Sequence, residues 1–134
     1  MKYKAAIITA SDSGYAGNRE DQSGPAAREL LEQAGFEVVH YVMLPDDRAM
    51  LSAELARLCD EDAAALVVTT GGTGFSSRDC TPEATMDVVE RPTPGIPESM
   101  RAYSARFTDR AMLSRAAAGI RKGTLIVNLP GSPR

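Results

Sequence analysis

Ala64-Ala65-Leu66-Val67-Val68-Thr69-Thr70-Gly71-Gly72-Thr73-Gly74 is an unbroken apolar and β-branched run that ends in a glycine-rich loop. A run apolar at every position reads as a strand buried on both faces, as in a parallel sheet covered on each side by helices. The glycines then let the backbone turn sharply where that strand stops.

Working toward the N-terminus, Tyr3 to Thr9 is a second apolar run, broken by Ser11-Asp12-Ser13-Gly14. Asp21 or Ser23 can cap a following helix, Pro25 suits its first turn, Ala27, Leu30, Leu31 and Ala34 share a face, and Gly35 stops it. Phe36 to Leu44 is apolar on both alternating faces and is expected to be an inner strand, closed by Pro45-Asp46-Asp47. Asp47 is the expected N-cap of a helix in which Leu51, Leu55, Leu58 and Cys59 recur at helical spacing. Strand, helix, strand, helix, strand with short connections predicts an α/β fold, a three-layer αβα sandwich around a mostly parallel sheet.

Toward the C-terminus, Thr81-Pro82-Glu83 reads as an N-cap with proline at the first helical position, leading to Thr85, Met86, Val88 and Val89 on one side. Arg91-Pro92-Thr93-Pro94-Gly95-Ile96-Pro97 is too rich in proline for extended regular structure. Pro97 then opens a helix with Met100, Tyr103, Ser104 and Phe107 along one stripe. Arg115 to Ile120 and Thr124 to Leu129, separated by Arg121-Lys122-Gly123, predict a C-terminal hairpin at or near the sheet edge.

A chain of 134 residues with 43% apolar content supports one core, so a single domain over residues 1–134 is expected. The net charge of −3 arises from interspersed acids and bases, which argues against a nucleic-acid or membrane-surface protein. No segment approaches the ~18 apolar residues of a membrane span, and the N-terminus lacks a secretory signal, so a cytoplasmic protein is expected. Cys59, Cys80 and His40 are too few for a structural zinc site and read as ordinary small or packed side chains.

Backbone amides of a glycine loop past a strand can approach phosphate oxygens, and strand carboxyl ends are where open α/β sheets bind ligands. No Gly-Lys-Ser/Thr follows, which excludes a P-loop. Gly72-Thr73-Gly74-Phe75-Ser76-Ser77 has serine where a dinucleotide fingerprint needs its third glycine, and the helix signal starts late, near Thr81. Arg78-Asp79 follows the loop, and Asp46 stands at the corresponding end of the second strand. An acid beside bound triphosphate suggests metal-assisted phosphoryl or nucleotidyl transfer. The same residues also suit structural roles, with Asp46 or Asp47 as a helix cap and Asp79 paired to Arg78.

Thr70-Gly71-Gly72-Thr73-Gly74, Arg78-Asp79 and Thr81-Pro82-Glu83-Ala84 together resemble the first signature of the Mog/MoaB family. Pro94-Gly95-Ile96-Pro97-Glu98, Leu113-Ser114-Arg115 and Asn128-Leu129-Pro130-Gly131-Ser132-Pro133 resemble its later blocks, in order. The resemblance implies a molybdopterin adenylyltransferase of molybdenum cofactor biosynthesis, using Mg²⁺ and ATP as co-substrate, or a molybdopterin-binding module of the same fold without turnover. It implies Asp46 and Asp79 as catalytic acids, with Asp79 at Mg²⁺. Ser11, Asp12, Thr70, Gly71, Gly72, Thr73 and Gly74 are expected on the nucleotide and phosphate side. Ser114, Arg115, Pro130, Gly131, Ser132 and Pro133 are expected to address the molybdopterin. A homotrimer, with a hexamer as the alternative, and hand-over to a molybdenum insertase are further implications. Cys80 departs from the aliphatic residue usual in relatives, and family members usually continue past the Pro-Gly-Ser-Pro loop into a helical segment.

Overall fold

A computed structural model describes residues 2–17 and 20–129. In chain order the elements are β1 (Lys4–Ala10), α1 (Asp12–Tyr15), α2 (Ser23–Gln33), β2 (Glu37–Leu44), α3 (Arg48–Asp60) and β3 (Leu66–Thr70). They continue with α4 (Thr81–Val88), β4 (Arg91–Pro92), α5 (Gly95–Ser104), a 3₁₀ turn (Asp109–Leu113), β5 (Ala118–Arg121) and β6 (Thr124–Leu129). The six strands form one sheet in the order β2-β1-β3-β6-β5-β4. β2, β1, β3 and β6 run parallel, and β5 and β4 are antiparallel to their neighbours.

The alternation of side chains along each strand divides the core between two faces. Ala6, Ile8 and Ala10 of β1 and Val67 of β3 pack with Leu51, Leu55 and Leu58 of α3 and Ala84 and Val88 of α4. Ile7 and Val68 meet Ala27 of α2, with Leu31 against them. Each fully buried Leu or Ile side chain contributes roughly 1.5–3 kcal/mol relative to exposure. The three-layer α/β architecture with a mostly parallel sheet therefore follows from the strand patterning.

Several local expectations are corrected. Phe36 to Leu44 was expected inside the sheet, yet β2 is an edge strand, with Val39 41% and Tyr41 39% exposed. Apolar density does not distinguish two covered faces from an edge strand whose large side chains are half exposed. The C-terminal hairpin lies near the other edge, as expected: β5 neighbours the two-residue edge strand β4 from the proline-rich segment, and β6 sits between β3 and β5. In α2, Leu30 is 63% exposed, so the packed face runs through Gly24, Ala27 and Leu31. Cys80, not Thr81, occupies the N-cap of α4, Pro82 lies within the first turn and Met86 faces outward. Asp47 caps α3 as expected, its Oδ1 accepting from the Met50 amide at 2.9 Å.

Candidate functional site

Because β1, β2 and β3 are parallel, the loops after all three open at one edge of the sheet. The order β2-β1-β3 places the reversal of strand order between β1 and β3, where open α/β sheets form a ligand crevice. Thr9, Ser11, Gly14, Asp21, Ser23 and Gly71 line a polar cavity of about 190 Å³ there. Asp21 and Ser23, read from sequence only as helix caps, belong to its wall. Asp21 accepts from the Thr9 hydroxyl at 2.9 Å and from the Gly24 amide at 3.0 Å, while Ser23 donates to the Thr70 hydroxyl at 3.0 Å. The only sequence cue for this role was an acid shortly before Ser-Gly-Pro, which also describes a helix start.

The glycines are required by both conformation and space. Gly71 and Gly72 have φ of 86° and 72°, in the left-handed region that L side chains rarely adopt. A Cβ on Gly71 would collide with the Ala10 carbonyl oxygen, and one on Gly72 with the Thr81 hydroxyl. The carbonyls of Gly72, Thr73 and Gly74 accept from the Thr81 amide at 3.2 Å, the Arg115 amide at 2.8 Å and Arg115 Nε at 2.7 Å. A trans peptide aims its N–H opposite to its C=O, so the amides of Thr73, Gly74 and Phe75 point away from those partners.

Asp12 and Asp46 bind each other's backbone. The Asp12 amide donates to Asp46 Oδ2 at 3.1 Å and the Asp46 amide to Asp12 Oδ1 at 2.9 Å, which ties the ends of β1 and β2 together. Arg78 does not pair with Asp79; it forks onto Asp12 at 2.9 and 3.0 Å. That guanidinium holds the Asp12 carboxyl below its usual range. Asp46 is pushed the other way, chiefly by burial, with the charges of Asp12 and Asp79 adding against a backbone hydrogen bond from Asp12 that lowers it. Its Oδ1 is buried without a hydrogen-bond partner among the described residues, as is the Thr81 hydroxyl, and both lie beside Gly72. Asp79 accepts from the Ser76 amide through Oδ2 at 3.0 Å.

Ser11 caps α1, accepting from the Gly14 amide at 3.1 Å, and Thr70 and Thr73 are buried in the loop's base. Arg115 lies against the glycine loop and Glu83, and Ser114 precedes it with its carbonyl held by Arg101 at 3.3 Å. The fold thus brings Ser11, Asp12, Asp46, the glycine loop, Asp79 and Arg115 into one neighbourhood. Pro130, Gly131, Ser132 and Pro133 lie outside the described residues. Cys80 is half-buried beside the acids, and burial pushes its thiol up. His40 sits apart, 3.3 Å from Glu54 on α3.

Among the described residues no group of three or more histidine, cysteine or acidic side chains is arranged to hold a metal ion by itself. The site can therefore place two acids and a row of backbone amides beside an anionic ligand, in an open-sheet α/β protein of the phosphate-handling kind.

Within that class the chain belongs to the family described as "probable molybdopterin binding domain", whose model matches residues 6–134. It is 44% identical over 130 residues to the molybdopterin adenylyltransferase of Helicobacter pylori, covering 96% of this chain and 74% of that protein. It is 42% identical over 131 residues to the Escherichia coli K12 enzyme of the same name, covering 96% and 67%. The crystal structure of the molybdopterin biosynthesis enzyme MoaB from Thermus thermophilus superposes with a TM-score of 0.92 at 44% identity, covering 98% of this chain and 82% of that one.

Proposed function

We infer that this chain is a molybdopterin adenylyltransferase of molybdenum cofactor biosynthesis, transferring AMP from ATP to molybdopterin. The terminal phosphate of molybdopterin attacks the α-phosphorus of ATP, and the bond to the departing pyrophosphate breaks. Such transfer depends on positioning and charge neutralisation, with little covalent participation by the protein. The observation that carries the reading is the juxtaposition of a backbone-exposing glycine loop with Asp46 and Asp79 at one sheet edge.

We assign roles to individual residues on this reading. The amides of the Gly71–Gly74 loop bind phosphate oxygens, and Ser11 and Asp12 border the nucleotide side. Asp79 with Asp46, whose Oδ1 has no hydrogen-bond partner among the described residues, would hold Mg²⁺. Mg²⁺ takes one or two carboxylates together with substrate phosphates and water, so a two-acid site suits it without a preformed cage. When bound, the ion neutralises charge on the phosphates. Ser114 and residues Pro130, Gly131, Ser132 and Pro133 are proposed, from the family resemblance, to bind the molybdopterin.

We propose a cytoplasmic location for this enzyme. No described helix is long and apolar enough to cross a membrane. A homotrimer, with a hexamer as the alternative, would cover apolar surface such as the exposed Tyr103, Phe107 and Met112. A molybdenum insertase would receive the adenylylated product.

Incubating the protein with molybdopterin, Mg²⁺ and α-labelled ATP tests the assignment. Wild type yields a labelled pterin adduct, and Asp79→Ala loses about 10²-fold or more of the rate while retaining pterin binding. A wild type that binds molybdopterin tightly but never forms adduct would instead be a binding module of the same fold.

A further inference from the structure

Arg115 has the planar fork expected of a phosphate ligand, yet each of its three guanidinium nitrogens donates to the protein. Nε donates to the Gly74 carbonyl at 2.7 Å, Nη2 to the Asp79 carbonyl at 2.9 Å and Nη1 to Glu83 Oε2 at 2.6 Å. Its amide donates to the Thr73 carbonyl at 2.8 Å. One residue therefore takes two successive carbonyls of the glycine loop and the carbonyl of a proposed catalytic acid. Its charge is matched by Glu83, whose carboxyl the guanidinium holds below its usual range.

We propose that Arg115 is the positioning residue of the transfer site, holding the Thr73–Asp79 loop from behind without itself gripping the substrate. By fixing the Thr73 and Gly74 carbonyls it aims the amides of Gly74 and Phe75 the opposite way, where they can meet phosphate oxygens. By holding the Asp79 carbonyl it sets the backbone from which that carboxylate projects. The support continues outward: Arg101 on α5 donates from Nη1 to the Ser114 and Ala116 carbonyls at 3.3 and 3.2 Å, anchoring the segment that carries Arg115. Lysine, a point charge on a flexible stem, cannot satisfy three acceptors held in a fork.

The proposal rests on the adenylyltransferase reading for its kinetic consequence, and the test separates the two. Arg115→Lys and Glu83→Gln are compared with wild type by steady-state kinetics and, without ligands, by amide hydrogen exchange at Ser76 and Asp79, whose amides are hydrogen-bonded within the loop. For Arg115→Lys, kcat falls about 10²-fold while KM for molybdopterin stays within about threefold, as for a displaced catalytic loop. Exchange at the hydrogen-bonded Ser76 and Asp79 amides quickens about tenfold or more while the β1 and β3 amides keep their protection. Glu83→Gln shows the same pattern more weakly, and serves if the lysine variant does not fold. A raised KM with unchanged kcat and unchanged exchange would make Arg115 a substrate ligand and overturn the proposal, as would no change in either readout. A wild type without transfer activity would sink the adenylyltransferase reading, and the exchange measurement would still decide whether Arg115 holds the loop.

Discussion

Helix α3 buries Leu51, Leu55, Leu58 and Cys59, whereas the equally regular apolar stripe of α5 and the turn after it leaves Tyr103 61% and Phe107 70% exposed. α3 lies in a crossover between two parallel strands, β2 and β3, so its apolar stripe is laid on the sheet. α5 follows the edge strand β4 and leads into an irregular segment and a 3₁₀ turn, so nothing in the described chain covers its aromatic end. Tyr103 and Phe107 instead pack on each other with centroids 5.4 Å apart, and the Arg106 guanidinium lies 5.5 Å from the Tyr103 ring centre. Periodicity identifies a helix and its apolar side; the neighbouring elements determine what that side meets.

The contrast can be tested from its strongest consequence downward. Leu55→Ala, at a position with no exposure, is expected to cost about 2–5 kcal/mol in urea unfolding, from lost transfer energy and the cavity left behind. Gly71→Ala lies between the two regions, at the site. Its strained φ and the collision with the Ala10 carbonyl are expected to cost about 1–3 kcal/mol, read as a lowered urea midpoint.

Asp46→Asn should move stability the other way at neutral pH, because it removes a carboxylate charge that burial and two acidic neighbours disfavour. The sign follows from proton binding. Folded Asp46 holds its proton more tightly than the unfolded chain does, so wild-type stability declines as pH rises from the unfolded to the raised folded value. The advantage of the asparagine variant therefore shrinks as pH falls through that window. Asp12→Asn is the opposite case: Arg78 depresses its carboxyl, so wild type gains stability above the ordinary carboxylate range and loses it as pH falls through the depressed value. Unfolding midpoints measured from neutral to acidic pH would show the two variants diverging at neutrality and converging on wild type in acid.

The smallest effect belongs to Phe107→Ser, within about 0.5 kcal/mol for the isolated chain. A loss as large as that of Leu55→Ala, appearing only at high protein concentration, would show that another copy covers α5 and would end the contrast.

Much of the site was legible because it is local. The glycine loop, Asp79 and the strand before it are contiguous, and Asp47 fits the N-cap spacing that leaves Asp46 free for another role. The partners were not legible: Arg78 was expected beside Asp79 and lies on Asp12, 66 residues away in sequence. Arg115 reads as a phosphate fork until its acceptors, Gly74, Asp79 and Glu83, are brought to it by the pairing of β6 with β3 and β5.

The sequence by itself determined the alternation of strands and helices, the turn after β3 and the residue types at the sheet edge, since each depends on dihedral preference and hydrophobic period over a few neighbours. Only the tertiary structure decided that β2 is an edge, that β6 is interior, which arginine meets which acid, and that an Asp46 carboxylate oxygen is buried. Those outcomes depend on which distant segments pack together, and burial and electrostatics belong to that assembled arrangement rather than to any stretch of chain.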